Sequence, residues 1–338
     1  MRLSVARQIL SWRQTASTRP PIKRDSSRLS KSGGPGSART QPGQTHWTMN
    51  EPNPFLTPRP RGTRLLQGTL RVAVAAQCWG QAAAMLHLHQ LTPVAQLMEQ
   101  AYGLSSAEAA MGHQFVAYAM LISGLCTLLR PCWPVLLPLV IWQGLVAAST
   151  ALYGQGLAAS FEPAMHAPRI LAPLALMLVD MWPPKIRTTL PLTRAATGLL
   201  QLGTLALLTA HGIVTLIESQ HPGEIAALVR QCAVKLGRES FSDEHLRSVL
   251  LGIGVMEVAC VVSLMGTRVP LAALWVTLWG LVLASAHTFA WGPNGFPQTL
   301  TESANWGAPL GLLIFWSLAM RPGKDQFVPE PEDIDEGK

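Results

Sequence analysis

The sequence is poor in charged residues. Asp, Glu, Lys and Arg make up 13% of its 338 residues, whereas soluble domains contain about 25%. Six stretches of 18 residues or more contain none of these residues: 72–98, 109–129, 131–161, 195–217, 269–301 and 303–320. Each is long enough to cross the roughly 30 Å hydrocarbon core of a bilayer. A soluble enzyme, a nucleic-acid-binding domain and a disulfide-rich secreted domain are therefore excluded for the whole chain. The sequence instead predicts a multi-pass membrane protein whose first partner is the lipid bilayer.

Motifs of self-contained catalysis are also missing from the sequence. It has no Gly-rich phosphate loop, no His-x-x-x-His pair, no nucleophile elbow around a serine and no Cys-x-x-Cys. Four of the five cysteines lie within or beside apolar segments: Cys78, Cys126, Cys132 and Cys260. We interpret these four as small core residues, and we expect Cys232, in a polar loop, to meet solvent. The sequence thus identifies no catalytic residue, no metal site and no evident cofactor.

The net charge of +7 has its origin at the N-terminal end. Residues 1–66 contain twelve Lys and Arg but only two acids, and they are rich in Arg, Ser, Pro and Gly. This composition predicts a disordered basic cytoplasmic tail, and residues 322–338 are predicted to form a second, acidic tail. The rest of the chain has fourteen Lys and Arg against seventeen acids, so the basicity does not indicate nucleic-acid binding. An organellar transit peptide and a true start at Met49 are the alternatives for the basic tail.

The apolar segments predict eight membrane-spanning helices, at roughly 69–88, 112–130, 133–154, 167–182, 194–217, 247–266, 269–291 and 304–320. Loops on one side contain basic residues such as Arg130, Lys185 and Arg268. Three loops on the other side contain no Lys or Arg: 89–111, 155–166 and 292–303. The remaining loop, 218–246, has basic residues that five acids balance. The positive-inside rule then places both termini in the cytoplasm of a plasma or inner membrane, with an organellar inner membrane as the alternative.

Short motifs recur in the same order in the two halves of the chain. Gln143–Ser149 reads QGLVAAS and Trp279–Ser285 reads WGLVLAS. Each is followed by a Glu that opens the next helix, Glu162 or Glu302, and then by Ala-Pro-Leu. Because four helices return the chain to the side on which it began, the second copy has the same orientation as the first. We therefore predict an all-α polytopic membrane helix bundle of eight transmembrane helices in two tandem parallel four-helix repeats. The predicted repeats cover 67–190 and 191–321.

This four-helix unit has an Arg at the start of its first helix, a His late in the third and a Glu at the start of the fourth. In this it resembles the DoxX-like membrane proteins. The second half has the full set in Arg194, His287 and Glu302, whereas the first half has Ala151 at the His position. The resemblance covers about 69–320 and implies that any His-dependent chemistry is confined to the second half. Some members of that family are membrane subunits of quinone-linked oxidoreductases, so the resemblance also implies a partner membrane or redox protein and a quinone.

A charge inside a membrane costs several kcal/mol unless it is paired, so ionisable side chains there indicate a function. Polar side chains at one depth of the predicted bundle therefore form a candidate functional site. Four of them lie near the outer ends of their helices: His211, His287, Glu302 and Asn305. We predict that they form a proton-handling or head-group-binding cluster that opens to the extracytoplasmic side. The alternative is a set of helix-end residues wetted by interfacial water, with Glu302 as a helix N-terminal charge.

Glu257 is predicted to lie about 15 Å into the sixth helix, near the bilayer midplane. It is either a proton or substrate site or a neutral acid hydrogen-bonded to Gln201 or Gln77.

Two other charges are expected to be structural. Asp180 is predicted to form an ion pair at the inner membrane surface, and Arg169 to pair with the Glu seven residues before it.

Three classes of function remain after these exclusions. The first is an accessory membrane subunit of a redox or envelope complex. The second is a carrier of a small lipophilic or anionic molecule, with a site between the two repeats. The third is a purely structural membrane bundle, for which replacement of Glu257 or His287 would change stability alone.

Overall fold

In the computed structural model, every regular element is a helix, which confirms the predicted all-α class for the part of the chain that is described. The described residues are 60–154, 156–181, 189–238, 241–266 and 269–319. They all belong to one compact unit, Pro52–Lys338. The two predicted tails lie outside the described residues, except that the first helix already begins at Pro60. Lys185, which was predicted to lie in an inner loop, also lies outside them.

Each of the eight predicted segments coincides with a helix, and four further helices lie between them. In chain order the helices are α1 (Pro60–His87), α2 (Val94–Tyr102), α3 (Ser106–Leu129), α4 (Trp133–Tyr153), α5 (Gly156–Met165), α6 (Ala167–Val179), α7 (Leu190–Glu218), α8 (Glu224–Lys235), α9 (Asp243–Gly266), α10 (Pro270–Trp291), α11 (Phe296–Thr301) and α12 (Ser303–Ile314). A 3₁₀ turn at Gly292–Gly295 precedes α11, and a π-helical turn at Phe315–Ala319 continues α12.

Five helical segments in the described part of the chain are long and apolar enough to cross a membrane. They are Ser106–Leu129, Trp133–Tyr153, Pro191–Glu218, Asp243–Gly266 and Pro270–Thr301. Fewer than half of the residues in each are buried inside the protein, and large apolar side chains such as Phe115, Val262 and Leu271 are exposed. So much exposed apolar surface is unusual in a soluble monomer and is expected where lipid surrounds the protein.

The other three predicted spans, α1, α6 and α12, do not combine the length and the apolar composition that the five segments have. The helices α6 and α12 have only 13 and 12 residues, and α1 contains the polar residues Gln77 and Gln81. All three contribute to the core, where Leu70, Leu176 and Leu312 are fully buried. A helix that other helices surround meets little lipid, so it needs no apolar outer face. Helices of 12 or 13 residues cover only about 18–20 Å of the roughly 30 Å hydrocarbon core. The count of eight spans therefore stays a prediction beside the five that length and hydropathy identify.

Small residues let α1 approach α11 and α12 closely. A Cβ atom on Gly80 would overlap the backbone at Thr301, and one on Gly307 would overlap the Cβ atom of Ala73. Next to this contact, the Ser303 hydroxyl donates a hydrogen bond of 2.6 Å to the Ala73 carbonyl. This packing holds the start of α12 against the middle of α1.

The four short helices α2, α5, α8 and α11 lie in segments that the sequence predicted only as loops. One of them contains Cys232, which is half-buried and donates to the Ala286 carbonyl at 3.8 Å. The expectation of a solvent-facing Cys232 in a polar loop is therefore wrong. Burial raises the pKa of the Cys232 thiol, so that the thiol rather than the thiolate is favoured. All five cysteines are free.

Candidate functional site

Glu257 lies at the crossing of α7, α9 and α10, and its side chain is fully buried. Its Oε2 atom lies 2.8 Å from Nδ1 of His211. Its Oε1 atom accepts a hydrogen bond of 2.8 Å from the indole N–H of Trp279. Both carboxyl oxygens thus have a partner on a neighbouring helix, and we call Glu257, His211 and Trp279 the inner centre.

Close packing of α7 against α9 brings His211 to Glu257. A Cβ atom on Gly212 would lie 3.3 Å from both the Glu257 Cβ atom and the Gly254 carbonyl. One turn further along α7, the Thr215 hydroxyl donates to the His211 carbonyl at 2.7 Å. A residue larger than glycine at position 212 would therefore require its neighbours on α9 to shift by at least a few tenths of an ångström.

The two glutamines expected to hold Glu257 lie elsewhere, so that prediction is wrong. The Gln201 amide donates to the Leu264 carbonyl at 2.9 Å, linking α7 to α9. The Gln77 amide donates to the Arg169 carbonyl at 3.1 Å, linking α1 to α6. Each side chain can bond to whichever polar group its face of the helix meets, and in both cases this is a backbone carbonyl.

Glu302 is the acceptor of a second buried centre, at the junction of α11 and α12. Its Oε1 atom lies 2.9 Å from Nε2 of Gln298, 3.0 Å from Nε2 of His287 and 3.8 Å from Nη2 of Arg169. The side chains of Glu302 and Arg169 are only 13% and 12% exposed, and that of His287 is 19% exposed. The structure therefore places His287 and Glu302 together, as the sequence predicted. We call Glu302, His287, Gln298 and Arg169 the outer centre.

The turn after α10 brings Glu302 back to His287. Gly292 has a φ of 62°, in the left-handed region that favours glycine. A Cβ atom on Gly295 would overlap the His287 carbonyl oxygen. The Thr299 hydroxyl then bonds both the Ala284 carbonyl and the hydroxyl of a threonine next to His287, each at 2.7 Å. These contacts fix α11 against the end of α10, so that the residue following α11 meets His287.

Arg169 extends the outer centre to the first half of the chain. Its Nη1 atom lies 3.2 Å from Nε2 of His166, whose Nδ1 atom lies 3.1 Å from Oε2 of Glu162. Arg169 thus pairs with Glu302 and not directly with Glu162, contrary to the sequence prediction. Glu162 also does not open α6: it lies in α5, and His166 occupies the N-cap position that Glu302 occupies in α12.

The predicted cluster of four outer residues is divided between the two centres. His211 bonds to Glu257 of the inner centre, whereas His287 bonds to Glu302. Asn305 lies one turn after Glu302, and its Oδ1 atom is buried without a hydrogen-bond partner. Glu302 nevertheless lies close enough to the His211 ring for its charge to act on it.

Three buried polar atoms without a partner lie on helices that meet near the outer centre. They are Oε1 of Gln77, Nε of Arg169 and Oδ1 of Asn305. The Gln77 side chain already contacts the Arg169 backbone, and α1 on either side of Gln77 packs against Thr301 and Ser303. Buried polar atoms are nearly always hydrogen-bonded, so this region offers one free donor and two free acceptors to a ligand or water.

Sequence reasoning missed several polar contacts. The amides of Gln81 and Gln143 form two reciprocal hydrogen bonds of 3.0 and 2.8 Å between α1 and α4. His113 is buried and lies 2.8 Å from the Thr92 hydroxyl. The sequence indicated Trp279 only as part of a repeated motif. All of these residues lie in stretches without Asp, Glu, Lys or Arg, and a polar side chain in such a stretch was the signal that could have identified them.

At the other end of the bundle, Asp180 forms the predicted ion pair. Its Oδ2 atom lies 2.5 Å from Nε of Arg71 on α1, and both side chains are partly exposed. Such a partly exposed pair contributes little to stability.

Within the described residues, no three His, Cys, Asp or Glu side chains are grouped so that they could hold a metal ion.

Comparison of the chain with protein-family models, curated proteins and solved structures finds no match.

Proposed function

We propose that this chain is an accessory membrane subunit of a redox or envelope complex, and that the outer centre is the site at which it acts. The observation that carries this proposal is a row of ionisable side chains that are largely shielded from solvent: Glu162, His166, Arg169, Glu302 and His287. Charged groups among membrane helices are costly and are typical of ligand or proton sites. The absence of a catalytic sequence motif favours an accessory role over a self-contained enzyme.

The proposal includes the duplication, with eight spans in two parallel repeats. It is supported by matching contacts in the two halves: α1 packs on α3 as α7 packs on α9, and α4 packs on α6 as α10 packs on α12. Across the halves, α6 packs on α7 as α12 packs on α1. The N-cap residues His166 and Glu302 have similar backbone angles, and Ala-Pro-Leu follows at the same distance. In this arrangement, Arg169 and Glu302 pair across the boundary between the repeats.

The proposed topology has both termini in the cytoplasm of a plasma or inner membrane, by the positive-inside rule. Reporter fusions after Gly103, Phe161 and Gly295 should then be active as extracytoplasmic sites. Fusions after Pro131 and Lys185 should be active as cytoplasmic sites. A cytoplasmic signal from any of the first three would refute the eight-span order.

A quinone is the ligand that the resemblance to DoxX-like proteins implies, and one side chain at the outer centre fits it. A quinone carbonyl requires a hydrogen-bond donor, and Nε of Arg169 is a buried donor without a partner. We propose that Arg169 holds the quinone head group and that Glu302 and His287 exchange protons beside it. The bound quinone would supply the electron-accepting chemistry of the partner protein.

Purification of the full chain in a mild detergent tests this function. We expect a quinone and a partner membrane or redox protein to co-purify, and both chromatography and mass spectrometry would detect them. The variant Arg169→Met should lose the quinone. The matched control Arg71→Met, which alters the partly exposed inner pair, should retain it. Recovery of the chain alone, with no quinone and no partner, would refute the proposal.

A carrier is the second candidate, because Arg169 and Glu302 lie on different predicted repeats and are both slightly exposed. A carrier exposes its site to each side of the membrane in turn. Asn305→Cys, in a chain without other cysteines, would then react with a membrane-impermeant maleimide from both sides. Reaction from at most one side favours the accessory subunit.

A further inference from the structure

The side chain of Glu257 is completely buried, whereas both of its hydrogen-bonding partners, His211 and Trp279, are partly exposed. It lies fourteen residues, about 21 Å, from the start of α9 and nine residues from its end. The side chain of Glu257 is 0% exposed, whereas that of His211 is 19% exposed. The partly exposed imidazole of His211, which contacts the carboxyl group directly, offers a route by which a proton from outside can reach Glu257.

Trp279 determines where a proton on Glu257 can be. An indole N–H only donates hydrogen bonds, so the Glu257 Oε1 atom that faces it must be an acceptor. The proton of a neutral Glu257 is therefore on Oε2, which lies 2.8 Å from Nδ1 of His211. In both protonation states one proton lies between these two atoms or on one of them.

The two ring nitrogens of His211 have different surroundings. Since Nδ1 faces Glu257, Nε2 is the nitrogen left to exchange with the surroundings. A proton that binds at Nε2 allows the proton on Nδ1 to move to Oε2 of Glu257, and rotation of neither side chain is needed. Imidazole commonly relays protons in this manner.

Other titratable groups lie near the relay. Glu302, between α11 and α12, and Glu218, at the end of α7, are acidic groups near His211. Cys260 follows Glu257 by one turn along α9.

We propose that the inner centre is a proton-binding site, in which His211 passes a proton from the outer side to Glu257. One proton is taken from water, the O–H bond of the carboxylic acid forms at Oε2, and the site gains one positive charge with no transfer of electrons. This inference goes beyond the proposed function, because it requires neither a quinone nor a partner protein.

Infrared spectroscopy of the full chain in lipid nanodiscs tests the proposal. The C=O stretch of a protonated carboxyl group should grow as the pH falls. This band should be missing in Glu257→Gln, which retains the acceptor for Trp279. It should remain in the control Asp243→Asn, which changes an exposed acid at the start of the same helix. A spectrum of Glu257→Gln identical to that of the parent at every pH would overturn the proposal.

Two further variants examine the relay. In Trp279→Phe the band should shift to higher frequency, because the C=O group loses its donor. In His211→Phe, exchange of the carboxyl proton for deuterium should slow at least tenfold, since a positioned acid–base group contributes about 10²- to 10⁴-fold. Unchanged exchange in His211→Phe would show that the proton reaches Glu257 by another route and would refute the role of His211. Loss of the co-purifying quinone or partner would not affect these spectra, so the two proposals can fail independently.

Discussion

Removal of Glu302 should destabilise the protein far more than removal of Arg169, although the two form one ion pair. The Glu302 carboxylate accepts from His287 and Gln298 at 3.0 and 2.9 Å, whereas Arg169 is 3.8 Å away. Glu302→Leu leaves all three donors without their acceptor. Each buried group left without a partner costs about 1–3 kcal/mol, so we expect a loss of at least about 3 kcal/mol in the free energy of unfolding.

Arg169→Met should cost less, because the carboxylate keeps its two closest donors. The substitution removes the contact with His166 at 3.2 Å and the longer one with Glu302, for which we expect about 1–2 kcal/mol. The difference between the two variants is then at least about 1 kcal/mol, or about fivefold in the unfolding equilibrium constant.

Reversible unfolding by SDS in mixed micelles measures both free energies on one scale. Arg71→Met is the control, since the partly exposed pair of Arg71 with Asp180 should contribute about 0–1 kcal/mol. Should Arg169→Met prove as damaging as Glu302→Leu, charge neutralisation by Arg169 and not hydrogen bonding would stabilise the outer centre, and the reasoning from distances would be wrong.

Three further sets of substitutions test other parts of the packing, each by thermal unfolding in detergent. Gln81→Leu and Gln143→Leu should each cost about 1–3 kcal/mol in stability. The double variant should be close to the parent, because both polar partners are gone. A double variant whose loss of stability equals the sum of the two single losses would contradict this. Glu257→Gln should leave stability nearly unchanged, whereas Glu257→Leu should cost about 1–3 kcal/mol for each of the two partners that lose their hydrogen bond. Equal melting temperatures of the two variants would mean that the carboxyl group faces solvent or lipid. Gly307→Leu should abolish the native close packing against Ala73, whereas a normal melting curve would show that α1 and α12 are further apart.

The positions of the long helices could be predicted from the sequence because hydropathy is a local property. A stretch such as 131–161, without one charged residue, cannot be stable in water as an isolated surface element, and it predicts a buried or lipid-facing helix wherever it is placed. The turn residues Gly292 and Gly295 likewise indicate a break after the seventh predicted helix. The interior position of α1, α6 and α12 depends on how the other helices surround them, and no local pattern contains that information.

The sequence by itself determined which polar residues are unusual, since Glu257, His211, His287 and Glu302 stand out against apolar surroundings. Only the tertiary structure decided their partners. Depth along a helix can be counted at about 1.5 Å per residue, and this correctly brought His287 to the level of Glu302. Depth says nothing of which helix faces meet, and so His211 was assigned to the wrong carboxylate. The facing of two helices depends on contacts between residues far apart in sequence, such as Gly212 against Gly254, and these contacts form only when the whole bundle is assembled.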